Sequence, residues 1–425
     1  MDEEQKNKIL KRSKTNINKI KQDIMPIISR VKVDGDKALI KYTKQFDNFE
    51  LKDIKITKEE IKQAYNKVNP KIIQAIKAQI KYAKVFAQAD KEKGFEIKTD
   101  YGILGKKKTA LDSVGLYVPG GTAQYPTVMQ ILAVAAKTAG VKKVIACTPP
   151  REDMSILMVA ADLAGVDELY RIGGVQSVAA MAYGTETIPK VLKIVGPGNV
   201  YVTAAKLAVF GEVSIDMPAG PSEAVIIADE TANPIFCAAD ILARCEHDTN
   251  AAGVMLTNSI ELAESTLKEI DKQKQSLSRL DIIEKSLKTY SAIIVFDNMQ
   301  QAFDFSNEYA PEHLEILTKD PKNDLNKITN AGSVFLGEYS PVAVGDYASG
   351  VNHVLPTNQF AKMFSGVSVD TFMKSTEYEM ITKPGLTKLY NEIIETIADV
   401  EKLDAHKKSV EVRLWNEKQE KQKLI

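Results

Sequence analysis

Lys143-Val144-Ile145-Ala146-Cys147 is an apolar run of strand length, and a helical pattern from Met154 to Ala164 follows it. The pair of signals then repeats. Glu168 to Ile172 reads as a strand and Val175 to Tyr183 as a helix. Val191 to Val195 reads as a strand and Val200 to Val209 as a helix. Short apolar runs alternating with helices of this length mean βαβ units around a parallel sheet, so the stretch predicts an α/β fold. Ligands of such sheets bind at the carboxyl ends of the strands. Two glycine-rich turns fall there, Gly173-Gly174-Val175-Gln176 and Gly196-Pro197-Gly198-Asn199.

The rhythm extends in both directions. Upstream, Ser113 to Val118 reads as a buried strand ending in Pro119-Gly120-Gly121, and Pro126 to Ala139 as an apolar helix. The first hundred residues are Lys-rich and helical in pattern. Ile24, Ile27, Ile28 and Val31 recur at helical spacing, as do Ile72, Ile73, Ile76, Ile80 and Ala83. Downstream of Pro218-Ala219-Gly220-Pro221-Ser222-Glu223 a second set of units begins. Ala224 to Ala228, Gly253 to Leu256, Ile293 to Phe296 and Val334 to Leu336 read as strands, and Pro234 to His247 as a helix. A loop-rich stretch runs from Gly345 to Pro356, and the last fifty residues read as charged and helical.

Composition narrows the class. The chain of 425 residues has 44% hydrophobic and 26% charged residues, as an ordinary globular protein does. Its formal net charge is zero and no long basic stripe appears, which argues against nucleic acid as a partner. The basic segment from Lys6 to Lys21 follows Asp2-Glu3-Glu4 and reads as a solvated helix rather than a transit peptide. No apolar run reaches the length of a membrane span. Cys147, Cys237 and Cys245 form no CxxC and read as reduced cytoplasmic thiols without a disulfide.

Chemistry gathers at Tyr309-Ala310-Pro311-Glu312-His313-Leu314. Pro311 disfavours helix for Ala310, so the helix beginning near Asn298 should stop there. Glu312 and His313 would then stand at the mouth of a strand. A histidine can take and return a proton near neutral pH, and a neighbouring carboxylate can do a second proton task. Taken alone, the pair reads more readily as a surface Glu beside a hydrogen-bonded His. The chain has only four histidines, His247, His313, His353 and His406, each in a polar or small-residue segment. His247, Asp346 and His406 are metal-type ligands that suit catalytic zinc. The alternative is that His247 and His406 sit at helix C-termini, where a cationic imidazole is favourable. No GxGxxG occurs, and Gly196-Pro197-Gly198-Asn199 supplies only part of a dinucleotide fingerprint.

From about Asp34 to Leu414 the chain resembles the histidinol dehydrogenases. The resemblance is dense in Val114 to Gly121, Tyr183 to Lys190, Ile194 to Asn199, Asp216 to Glu223, Tyr309 to His313 and Gly345 to Thr357. It implies a cytoplasmic zinc enzyme that oxidises L-histidinol to L-histidine through histidinal, the last step of histidine biosynthesis. Two NAD take two hydrides in succession. It implies a homodimer with sites shared between subunits. The implied fold is two incomplete Rossmann-like parallel-sheet domains with a helical N-terminal segment and a small helical C-terminal tail. The expected layout is residues 1–30 for that segment, 31–119 with 222–365 and then 120–221 for the two domains, and 366–425 for the tail. By motif, His247, Asp346 and His406 match metal ligands, and Glu312 and His313 the catalytic pair. Tyr117, Gln176 and Asn199 match NAD contacts. Ser222, His353 and Glu401 match substrate-side positions, with His247, His313, Asp346 and His406 also facing the substrate. The resemblance has zinc hold the substrate's imidazole and amino nitrogens while His313 takes the alcohol proton and Glu312 activates water against the aldehyde.

Three positions depart from the family's pattern. The family has a Gln ligand three residues before the first metal-binding His; this chain has Arg244. A guanidinium offers no lone pair. It would swing away, or pair with Asp240 one helical turn back. The family's Ser-rich segment after Tyr-Pro is Thr127-Val128 here, and Asp248-Thr249-Asn250 lacks the usual Pro. The changes fall on the metal and substrate side. They leave room for a family member that oxidises another small alcohol, and for a catalytically silent paralogue that binds ligand or dimerises.

Overall fold

The computed structural model describes residues 3–12, 17–120 and 124–415. Gly121 of the turn after Tyr117, and residues 13–16 of the basic N-terminal segment, lie outside them. In chain order the strands are β1 Phe95–Lys98, β2 Gly102–Ala110, β3 Ser113–Tyr117, β4 Lys143–Thr148, β5 Glu168–Arg171, β6 Lys193–Val195, β7 Ser214–Ile215, β8 Glu223–Ala228, β9 Ala252–Thr257, β10 Ala292–Val295, β11 His313–Leu317, β12 Ser333–Leu336 and β13 Met373–Ile381. The chain divides into two compact units. One holds Met1–Lys91 and Leu111–Phe372, the other Glu92–Ala110 and Met373–Ile425.

The first unit contains two five-stranded parallel sheets, in the orders β5-β4-β3-β6-β7 and β10-β9-β8-β11-β12. The inner strands are the apolar runs of the sequence. β8 and β9 are buried along their whole length, because helices cover both faces of a parallel sheet. β3 pairs with β4 and with β6, so Ser113–Tyr117 is the central strand of the sheet formed by residues 113–215. β7, only two residues long, closes the far edge and has no apolar run to announce it. Helices begin and end where local chemistry dictates. Asn199 caps Val200–Val209 by accepting from the Tyr201 and Val202 amides, and Asn298 caps Met299–Tyr309 through Gln301. The N-terminal helix Ile17–Asp34 packs on Gly174–Tyr183 and Val200–Val209, burying Ile24, Ile28 and Val31.

The second unit is not purely helical. β1, β2 and β13 form an antiparallel sheet in which β13 pairs with β2 over nine residues. β13 is half-buried or exposed throughout and β2 carries Lys106-Lys107-Lys108, so neither strand shows an apolar face with period two. The N-terminal helices and the helical tail are found as expected, and β1, β2 and β13 add strands that the helical reading of residues 95–98 and 373–381 did not include. Among its described residues the other elements of the unit are helices, with Glu395–Glu401 and Asp404–Leu414 packed together.

Candidate active site

The first sheet gathers three expected residues at its carboxyl edge. Tyr117 ends β3, Gln176 lies in the first turn of the helix after β5, and Asn199 caps the helix after β6. The Tyr117 hydroxyl accepts from the Gly174 amide at 3.2 Å, and burial pushes this phenol up to about 12. Gln176 is buried, and neither its amide oxygen nor its amide nitrogen has a hydrogen-bond partner. An orphaned buried amide is costly unless something else satisfies it. Gln176 stands in the first turn of the helix after β5, at the edge where open α/β sheets hold nucleotides, beside helix N-termini that favour phosphate. The residues present fit NAD.

The candidate pair Glu312 and His313 lies at the amino end of β11, beside the amino end of β8, not at a carboxyl edge. Helix Met299–Tyr309 stops at Ala310, which adopts a left-handed conformation (φ 49°) before Pro311. β11 then opens with His313, whose register partner on β8 is Ala224. Two reciprocal hydrogen bonds fix the junction: the Glu223 amide donates to Glu312 Oε2 at 2.9 Å, and the Glu312 amide donates to Glu223 Oε1 at 3.2 Å. His313 Nδ1 lies 3.3 Å from the Glu223 carbonyl oxygen and 3.4 Å from Glu312 Oε2. Its Nε2 lies 3.5 Å from Asp346 Oδ1, an ion-pair contact without hydrogen-bond geometry. Phe335 stacks on the ring at 5.9 Å.

Both ring nitrogens thus face oxygen acceptors. Burial and Arg244 work against a charged imidazole, but Glu312 and Asp346 prevail and raise His313 above its ordinary range. Burial also opposes the Glu312 and Asp346 carboxylates; His313 and Arg244 reverse this and hold both below the usual carboxylate range. Burial, aided by Arg244, lowers His247 to about 4. Burial likewise lowers His353, with His313 and Arg244 adding to it. His353 and Asp346 line a small cavity with Thr127, Gln130 and Gln79. The departure at Thr127 therefore stands in the site itself.

Two residues that the site motifs did not single out support the pair. Arg12, from the N-terminal segment, places Nε 2.9 Å from Glu223 Oε2 and its guanidinium 3.3 Å above the Tyr309 ring. Burial, opposed by Arg12 and reinforced by Glu312, pushes Glu223 up to about 7. Glu223 had a signal, standing directly after Ser222 in a motif that the resemblance covers. Arg12 lies before the start of that resemblance and gave none.

Arg244 does not pair with Asp240. That acid hydrogen-bonds Glu315, and burial raises both members of the pair. Arg244 is buried instead with Nη1 donating to Ser222 Oγ at 3.1 Å and Nη2 3.5 Å from Asp346 Oδ2. The first unit thus brings together Ser222, His247, Glu312, His313, Asp346 and His353. Glu401 and His406 belong to the second unit, where both are exposed. His406 is the third residue of helix Asp404–Leu414, so it caps no C-terminus.

Zinc is the harder fit. A neutral His247 and an ionised Asp346 are in the states a metal ion needs. Yet the Asp346 carboxylate already holds a guanidinium, and among the described residues no three His, Cys, Asp or Glu side chains form a metal-holding group. Two like unit charges ~4 Å apart repel by about 4 kcal/mol at an effective dielectric near ~20, and a divalent ion doubles that. As arranged, the residues do not fit a divalent ion.

The comparisons with known proteins agree with the fold and the family resemblance. The family model described as histidinol dehydrogenase matches residues 10–414. The chain is 47% identical to the histidinol dehydrogenase of Methanocaldococcus jannaschii, over 97% of each chain. It is 48% identical to that of Clostridium acetobutylicum, over 91% of this chain and 90% of the relative. The crystal structure of histidinol dehydrogenase from Elizabethkingia anophelis superposes with a TM-score of 0.93 at 39% identity, covering 97% of this chain and 96% of that one. With a family model over nearly the whole length, relatives at 47% and 48% identity and the fold in agreement, the chain belongs to the histidinol dehydrogenase family.

Proposed function

We propose that this oxidoreductase converts L-histidinol to L-histidine with two NAD, through the aldehyde. Family membership makes it an oxidoreductase of the histidinol dehydrogenase family. The observation that carries the residue assignment is the burial of His313 between Glu312 and Asp346. In the first step the alcohol proton passes to His313 as the carbinol carbon gives up hydride. In the second, Glu312 takes a proton from water, which adds to the aldehyde, and His313 takes the hydroxyl proton of the hydrate as the second hydride leaves. NAD, when bound, supplies the hydride acceptor. Tyr117, Gln176 and Asn199 are the residues we assign to hold it, on the strength of their common place at the carboxyl edge and the unpartnered Gln176 amide. Ser222 and His353 would face the substrate.

The family resemblance also implies zinc on His247, Asp346 and His406. Because Arg244 holds Asp346, no step is assigned to it. A homodimer with shared sites belongs to the proposal, supported by the exposure of Glu401 and His406. So does a cytoplasmic location, supported by three free, buried thiols. Among the described residues no helix is long and apolar enough to cross a membrane.

The test supplies L-histidinol and L-histidinal separately and follows NADH. Wild type should oxidise both, and His313→Asn should lose both while still binding NAD. Oxidation of both substrates by His313→Asn at the wild-type rate would remove His313 from the mechanism. A second reading, oxidation of another small alcohol, is favoured by one observation: Arg244 and Thr127 alter the wall that meets the substrate. Faster turnover of a different alcohol at equal concentration would select it.

A further inference from the structure

We propose that Arg244 is the resident cation of this site, and that the oxidation runs on its guanidinium without a bound divalent ion. The side chain is only 4% exposed and forks between two site residues, Ser222 Oγ on one nitrogen and Asp346 Oδ2 on the other. Its helix, Pro234–Cys245, is packed against β8 and β9, so the stem is fixed by the fold. A swing outward would take a buried guanidinium from two partners and leave Asp346 with a histidine alone.

Charge balance points the same way. The carboxylates facing the site are Glu312 and Asp346; Glu223 is matched by Arg12, and Asp240 hydrogen-bonds Glu315. The Arg244 guanidinium, 3.5 Å from Asp346 Oδ2, already sets a full positive charge beside the carboxylate that a metal ion would use. A divalent ion would leave an uncompensated excess of positive charge in a buried place, which is unfavourable. A fixed cation can do part of what the ion would do. It sets a positive charge beside Asp346 and donates to Ser222, and it needs no loading. In this sense Arg244 is a positioning and charge-supplying residue.

The inference concerns the site of the proposed oxidation and rests on that reading only for its kinetic arm; the metal-binding arm stands without it. Wild type and Arg244→Gln are stripped with a chelator, incubated with zinc, passed through a desalting column and assayed for bound zinc. Zinc affinity is then measured by calorimetry, and NADH formation from L-histidinol is followed with and without chelator. The expected result is substoichiometric zinc and chelator-insensitive turnover in wild type. Arg244→Gln, which restores a neutral oxygen donor, should bind zinc roughly tenfold tighter or more. One tightly held zinc per wild-type chain, or turnover lost on chelation and regained with zinc, would overturn the inference. The wild-type arms decide this even if the variant folds poorly. Absence of any turnover of L-histidinol would count against the proposed function and leave the zinc measurement to decide the role of Arg244.

Discussion

His313 can act as a base only when one ring nitrogen has lost its proton, and its neighbours resist that loss. Glu312 and Asp346 stabilise the imidazolium, so the acid limb of kcat/KM should titrate above the ordinary imidazole value of about 6.5. His313→Asn should cut turnover by roughly 10²–10⁴, and NAD binding followed by fluorescence should survive. Asp346→Asn should move the acid limb toward lower pH, because one of the two charges that hold the proton is removed; an unchanged limb would place Asp346 outside the electrostatics of His313. Glu312→Gln should slow aldehyde oxidation more than alcohol oxidation, since only the second step consumes water. Equal slowing of the two steps would contradict that division. These two residues were legible in the sequence because a rare residue type stood beside an acid at a predicted helix end. The fate of Arg244 was half legible. Its missing lone pair could be read from residue type, but which acid it meets depends on β11 placing Glu315 against Asp240.

At the scale of elements, the proposed catalytic pair depends on the reciprocal bonds between Glu223, the first residue of β8, and Glu312, the residue before β11. Glu223 ionises near pH 7 in the fold but near 4.5 when unfolded. Between these values the folded chain holds the extra proton. Stability contributed by this group is present below about pH 4.5 and is lost as pH rises to about 7, on the order of 3 kcal/mol in all. The difference in urea stability between wild type and Glu223→Gln should therefore change with pH across that window, on top of a constant loss from leaving Arg12 unpaired. A difference that does not vary with pH would show that Glu223 titrates normally. Gly345 illustrates close approach: a Cβ there would meet the Phe335 ring at 2.4 Å, and Phe335 packs on His313. Gly345→Ala should destabilise by about 1–3 kcal/mol by overpacking and lower kcat by disturbing the His313 ring; a variant with wild-type kcat would show that the ring tolerates the shift. Element existence was readable wherever burial is two-sided, as in β4, β8 and β9. It was not readable in β1, β2 and β13, where exposed strands leave no period.

Over the whole chain, the alternation of strands and helices specified two parallel sheets. The placement of the two functional halves did not follow from it. The residues proposed for NAD obey the carboxyl-edge rule, whereas Glu312 and His313 stand at the opposite edge of the other sheet, because their hydrogen-bond partner is Glu223 at the start of β8. Long-range pairing of this kind, 89 residues apart for Glu223 and Glu312, leaves no local trace in a sequence. The most direct test of the account is the stoichiometry of purified protein with limiting L-histidinol and excess NAD. The account predicts two NADH formed for each L-histidinol consumed and L-histidine as the product. A plateau at one NADH with aldehyde released, or no NADH from L-histidinol while another alcohol is oxidised, would contradict it.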